Sequence, residues 1–247
     1  MEIYLPIIFF LVALIYSSVG LGGGSSYTAI MAILGVNYLL IPSISLALNL
    51  IVTLIGSFHF IRKGHFRLNL ILPFLITSIP FSYMAGTLNL PKNIFYSLLL
   101  VTLIFIAVRI YILSNMKITY TLRGYRKWIF SIGLGAILGF IAGAVGIGGG
   151  IYLVPLIIIF RLGSEKEAAA SGTIFIFLNS IAGLSARLQE GLFDINMILP
   201  LGAAVIIGGF TGSWLGSSRF DPGTIQRIMG LVIMIAIVFL SQKLFFQ

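Results

Sequence analysis

An all-α polytopic membrane protein, with about ten helical segments in two inverted-topology repeats of five, is the fold class the sequence predicts. Three observations predict it: the scarcity of charge, the length of the apolar runs, and a glycine cluster that returns halfway along the chain. Only 9% of the 247 residues are charged, against about 25% in an ordinary soluble domain, while 59% are hydrophobic and the mean hydropathy is +1.13. A water-facing surface cannot be built from that composition at this size. A soluble enzyme or binding module is therefore excluded, as is intrinsic disorder. The absence of cysteine removes disulfide scaffolds, thiolate metal sites and a cysteine nucleophile.

From Ile3 to Phe60 there is no Asp, Glu, Lys or Arg. Further charge-free runs are Leu68–Pro91, Ile129–Phe160, Ala168–Ala186, Ile195–Ser218 and Ile228–Gln242. A helix needs about 20 apolar residues to cross roughly 30 Å of hydrocarbon, so each run is a span or a pair of spans. The N-terminal run opens Met-Glu without a basic region and is expected to be a span, not a signal peptide. A β-barrel would alternate apolar and polar residues along short strands, which these runs do not do.

Gly and Pro clusters then punctuate the runs in order. In the first half they leave segments 3–19, 25–35, 42–61, 69–87 and 93–113. The second half holds 129–145, 151–161, 168–187, 195–217 and 224–243. Segments 25–35 and 151–161 are the short ones, about half a membrane thickness each at about 1.5 Å per residue. Each directly follows a glycine cluster, as half-helices would. The domain reading is a first repeat over 1–114, a basic cytoplasmic linker over 115–128 and a second repeat over 129–247.

The repeat rests on collinear matches. Gly20-Leu21-Gly22-Gly23-Gly24 pairs with Gly146-Ile147-Gly148-Gly149-Gly150, and Ser45 with Ser171, both at an offset of 126. Gly64-His65-Phe66 pairs with Gly191-Leu192-Phe193 and Ile71-Leu72-Pro73 with Ile198-Leu199-Pro200 at 127, and Ser78, Ser82 and Gly86 with Gly208, Gly212 and Gly216 at 130. An odd number of segments per half requires the second half to enter from the opposite side. Basic residues collect on the cytoplasmic side. Placing the loops around Arg62–Arg67, Arg109–Lys127, Arg161–Lys166 and Arg219–Arg227 inside leaves only Lys92, Arg187 and Lys243 outside, a split of 12 to 3. Both termini are then outside, and the multi-pass chain sits in the cytoplasmic membrane.

The candidate site follows from the glycine clusters. Each Gly costs about 1 kcal/mol in a helix against Ala, so three in succession mark a discontinuous helix. Glycine N–H groups free to take left-handed conformations form a concave anion-binding nest, and a half-helix adds its positive dipole end. Two such openings near the midplane are where inverted-repeat transporters place substrate. The candidate substrate-binding residues are Gly22, Gly23, Gly24, Ser25, Ser26 and Asn49 in the first half, and Gly148, Gly149, Gly150, Tyr152, Ser171, Thr173 and Asn179 in the second. The hydroxyls and amides among them would bind an oxyanion without charging the membrane interior, though Ser and Thr also back-bond to helix carbonyls. Gly135, Gly139 and Gly143 read differently, as a ridge for close helix contact.

No buried carboxylate offers itself as a proton or Na⁺ carrier, which favours uniport or coupling through the substrate's own protonation. His59 and Arg109 sit near span ends and read as interfacial. No His-Glu-x-x-His or Gly-Lys-Ser/Thr follows the clusters, so catalytic residues, metals and cofactors are not expected. The expected partners are a small anionic substrate and the lipid bilayer. Nucleic acid is excluded, and self-association into a homo-oligomer stays open.

Two collinear halves, each with an early Gly-x-Gly-Gly-Gly, resemble the sulfite exporter TauE/SafE family of permeases. The resemblance is greatest over Gly143-Ala144-Val145-Gly146-Ile147-Gly148-Gly149-Gly150-Ile151-Tyr152-Leu153-Val154-Pro155-Leu156 and Ala169-Ala170-Ser171-Gly172-Thr173. The first half repeats the pattern in Ser18-Val19-Gly20-Leu21-Gly22-Gly23-Gly24 but has Ala29 where the second has Pro155, and Ser45-Leu46-Ala47 where the second has Ser171-Gly172-Thr173. The resemblance implies movement of sulfur-containing anions such as sulfite or organosulfonates across the cytoplasmic membrane. An anion channel and a non-transporting membrane assembly factor are the alternatives.

Overall fold

The structure, a computed structural model, describes residues 4–18, 21–112, 124–216 and 222–245. Among them the chain forms α1 (Tyr4–Ser18), α2 (Gly24–Ile33), α3 (Ile41–Arg62), α4 (Leu68–Gly86), α5 (Lys92–Tyr111), α6 (Gly124–Val145), α7 (Gly150–Ile159), α8 (Glu165–Gln189), α9 (Ile195–Gly216) and α10 (Pro222–Phe245). Six of these, α3, α4, α5, α6, α8 and α9, are long and apolar enough to cross a bilayer. α2 and α7 have 10 residues each, about 15 Å of helix, and begin at the last glycine of their clusters, Gly24 and Gly150. Part of the expected linker, 115–123, lies outside the described residues, as does Gly20. α6 begins at Gly124, so positions 124–128 are helical.

Local chemistry sets the ends. Ser164 and Glu167 form a reciprocal capping box that starts α8. Gly64 and Gly191, matched by the repeat, follow the ends of α3 and α8 with φ of 74° and 70°. The next residue closes the same backbone bond in both, His65 to the Phe60 carbonyl (3.2 Å) and Leu192 to the Arg187 carbonyl (3.0 Å).

Packing crosses between the halves. α1 lies on α9 and α6 on α4; α3 meets α9 and α8 meets α4; α2 lies on α3 and α7 on α8. α3 packs on α8, and α5 on α10. Exchanging each helix for its counterpart five places along reproduces this set of neighbours. The glycine ridge makes the exchange specific. Cβ atoms on Gly139 and Gly143 would strike the backbone of Ser78 and Ser82, so α6 can only sit this close to α4 without them. Across the matching interface, Gly208 and Gly212 of α9 meet the backbone of Phe10 and Leu14 and the side chains of Ala13 and Ser17. Each interface pairs small residues, with the glycine on opposite partners.

Two tethers give the direction. Arg67 pairs with Glu167 (3.0 Å) where α4 and α8 begin, and the Tyr83 hydroxyl donates to Gln189 Oε1 (2.6 Å) where both end. α3 delivers the chain to the start of α4, so α3 and α8 lie antiparallel, and the loops at Lys63 and Glu190 are at opposite ends of the bundle.

Candidate functional site

All thirteen candidate residues are buried. The two glycine clusters meet on two side chains, Asn49 of α3 and Ile176 of α8. A Cβ on Gly22 would lie 2.7 Å from Asn49 Oδ1 and 3.3 Å from Ile176 Cγ2, and one on Gly148 would lie 3.1 Å from Asn49 Nδ2 and 2.7 Å from Ile176 Cγ2. A Cβ on Gly24 would meet the Asn49 amide and lie 2.7 Å from the Ile147 carbonyl, and one on Gly150 would lie 2.6 Å from the Gly172 carbonyl. Side chains other than hydrogen would separate the two breaks, so glycine is required by closeness.

The second cluster also uses glycine's backbone freedom. Gly146, Gly148 and Gly149 have φ of 84°, 80° and 78°, and Gly149 is the left-handed N-cap of α7. The first cluster differs from the expected nest. Gly23 caps α2 with φ of −79°, and Gly22 and Gly24 do not take positive φ either. Its glycines answer sterics instead: the Tyr27 ring lies over Gly23 with Oη 2.7 Å from the Cβ position, and Tyr27 stacks on Phe9 at 4.7 Å.

Among the described residues, no backbone carbonyl outside the helices accepts from the N–H groups of Gly22 to Ser26 or of Ile147 to Ile151. A helix start leaves such donors open by construction. Here they are buried, at two starts that converge on the same pair of side chains.

The carbonyls of the α6 terminus are, by contrast, fully engaged. Arg187 Nη2 donates to Gly143 O (3.3 Å) and Ala144 O (3.1 Å), and Thr28 Oγ1 to Val145 O (3.4 Å). Gly146 O accepts from Ser45 Oγ (2.7 Å) and Asn49 Nδ2 (3.3 Å). The donor of Asn49 therefore braces the break instead of facing open space, while its Oδ1 is buried with no partner.

The remaining candidates divide. Ser25 and Ser26 both hydrogen-bond the Tyr16 hydroxyl of α1, at 3.0 and 2.7 Å. Ser171, matched to Ser45, has a buried hydroxyl without a partner. Thr173 back-bonds to Ala169 O (2.9 Å). The Tyr152 hydroxyl donates to Thr102 O of α5 (3.4 Å), and its ring packs on Phe105. Asn179 points toward α4, bonding Ser78 Oγ (3.1 Å) and Phe175 O (2.8 Å). Neither the Tyr152 nor the Asn179 side chain is among the atoms nearest the Cβ positions of the cluster glycines.

Sequence reasoning missed Tyr16, Ile176 and Arg187. It set Arg187 among the outer loop markers, whereas the side chain is buried at 3% exposure. The signal was there: Ser180, Gly183 and Arg187 follow a spacing of three and four, one stripe of a helix that elsewhere buries small residues.

The comparisons with known proteins agree on one class. A family model described as "Sulfite exporter TauE/SafE" matches residues 5–240. A "Probable membrane transporter protein y4hK" of Sinorhizobium fredii is 30% identical, covering 94% of this chain and 95% of the relative. A "Probable membrane transporter protein YjnA" of Bacillus subtilis is 24% identical over 88% of this chain and 91% of its own length. No solved structure matches the chain.

Proposed function

The chain belongs to the sulfite exporter TauE/SafE family and is an integral membrane transporter; on that premise we propose that it carries a small oxyanion, sulfite or an organosulfonate-type sulfur compound, across the cytoplasmic membrane by alternating access. One observation carries this reading. The buried N-termini of α2 and α7 converge on Asn49 and Ile176, and among the described residues no backbone carbonyl outside the helices takes up their first donors. Positive helix ends and unpaired N–H groups attract an anion, and no buried carboxylate among the described residues opposes it. The unpartnered Asn49 Oδ1 adds an acceptor for a substrate O–H, which suits a protonated oxyanion and needs no separate coupling ion.

The moving bodies in this reading are not the sequence halves, because α4 and α9 are exchanged. They are α1, α2, α3 and α9 against α6, α7, α8 and α4, sliding at the α3–α8 contact. Such motion exposes the glycine breaks to one side and then the other.

Counterflow in proteoliposomes tests the function. Trapped unlabelled sulfite or taurine should accelerate entry of the labelled anion with saturation. Flux that grows linearly with concentration and shows no counterflow identifies a channel instead. Asn49→Asp should raise the half-saturating anion concentration about tenfold or more, since a buried carboxylate beside Gly22 repels the substrate and confronts the Gly146 carbonyl.

The orientation is tested with cysteines, which the chain lacks. Lys63 and Glu190 are exposed and matched by the repeat. An impermeant maleimide applied to intact cells should label Glu190→Cys and spare Lys63→Cys. The reverse pattern would turn the protein over, and equal labelling would remove the inversion.

A further inference from the structure

We infer that Arg187 is a second anion-binding residue, a station for one oxygen of the oxyanion between the glycine breaks and the face of the bundle opposite the Arg62–Arg67 loop. The inference rests on the transport reading and on the orientation that makes this face the outer one. Arg187 is 3% exposed as a residue and makes no ion pair among the described residues. Its Nη2 holds Gly143 O and Ala144 O, and its Nε is buried with no partner. A buried, always-charged side chain without a counter-ion is costly, and the unpaired donor adds to that cost.

Capping α6 does not require the charge. The two carbonyls that follow, of Val145 and Gly146, are held by the neutral groups of Thr28, Ser45 and Asn49. Nor does the repeat demand it. At the offsets of 126 and 127 the first half has Ile61 and Phe60, and near the end of α1 Ser17 and Ser18 serve the carbonyls of Ala13 and Ile15. The guanidinium therefore breaks the symmetry of the two halves at one face only. It also lies beside the route. The carbonyls it holds precede Gly146 by two and three residues, and Gly183, one turn earlier on α8, faces Gly143, Ser82 and Leu46 at the junction of α4, α6, α3 and α8.

The ligand chemistry is that of the substrate itself, a sulfonate, sulfite or carboxylate group whose oxygen accepts from Nε–H. A charge-assisted bond of this kind shifts the anion's affinity on one side of the transport cycle. Arg187 thus gives the outward-facing state a tighter hold than the inward-facing state, which has the exposed Arg62, Lys63 and Arg67 at its mouth.

The test is sided kinetics in right-side-out and everted membrane vesicles, with sulfite and taurine as the transported probes. Arg187→Lys keeps a charge able to cap α6 but loses the Nε donor. It should raise the half-saturating concentration about tenfold in right-side-out vesicles and change it less than about twofold in everted ones. Arg187→Gln should show the same sided effect, larger. Should the glutamine variant fail to fold, the lysine variant alone decides. Equal shifts at both faces would reduce Arg187 to a helix cap, and unchanged constants would remove it from the path. The two failures are separable: wild-type vesicles without saturable flux overturn the transport reading and this station with it. Saturable wild-type flux with an unaltered Arg187→Lys overturns the station alone.

Discussion

Gly149→Val is expected to abolish transport, lowering flux per folded molecule by at least about a hundredfold. The residue sits at φ 78° as the N-cap of α7, a conformation that costs an L side chain roughly 1–2 kcal/mol and a β-branched one more. Its Cβ would also stand 2.7 Å from the Phe175 ring and 3.2 Å from the Leu138 carbonyl. The cap must therefore rotate away, carrying the open N–H groups of α7 with it. A loss of about 2.7 kcal/mol of anion binding is already a hundredfold. Gly133→Val is the matched control, since nothing lies within 4 Å of its Cβ position. It should transport like the unaltered protein. Flux is read by counterflow and normalised to monodisperse protein. A Gly149→Val protein with full activity would end the role of the second break.

Gly143→Val should act on folding first. The atoms in its way are the backbone of Ser82, with the carbonyl carbon 2.8 Å and Cα 3.0 Å from the Cβ position. Backbone cannot swing aside as a side-chain tip can, so α4 and α6 must part. Overpacking of this kind costs about 1–3 kcal/mol and sometimes more. The loss spreads, because Arg187 is bonded to the Gly143 carbonyl and a Cβ on Gly183 would lie only 3.2 Å from the Gly143 Cα. The expected outcome is a folded yield and melting temperature well below those of Gly133→Val on the same helix. Gly143→Ala should fall between. Equal melting temperatures for the alanine, valine and unaltered proteins would mean that the α4–α6 contact does not hold the bundle together.

Much of this architecture was legible in the residues, and the reason is physical. Lipid obliges each span to satisfy its own backbone, so spans show as charge-free runs and breaks show as glycine. That is why α2 and α7 were expected as half-helices and the ridge at Gly135, Gly139 and Gly143 as a contact surface. What stayed hidden was identity of partner. The spacing of small residues says that a face is closely packed and not which helix packs on it, so the crossing of α1 onto α9 and of α6 onto α4 could not be read. Capping by distant side chains was hidden for the same reason. Asn49 looked like an oxyanion donor, yet its amide and the Ser45 hydroxyl donate to the Gly146 carbonyl across the centre of the molecule. Left-handed glycines were expected in both clusters and occur, among the described residues, in the second. Glycine serves close approach as well as positive φ, and the sequence Gly-Gly-Gly is the same for both. Arg187 was misplaced because charge counted by loop ignores which side of a helix a residue occupies.

The central claim, that two half-helix N-termini form an anion site inside the bundle, is tested most directly by thermal stabilisation of the purified protein. Sulfite, sulfate, thiosulfate, taurine and simple carboxylates are added one at a time at increasing concentration. A ligand present at about a hundred times its Kd stabilises the folded state by about 2.7 kcal/mol, which moves a chain of this size by several degrees. The account predicts such a rise with sulfite or taurine, preserved in Gly133→Val and lost in Gly149→Val. No rise with any of these anions, or an equal rise in Gly149→Val, would contradict it.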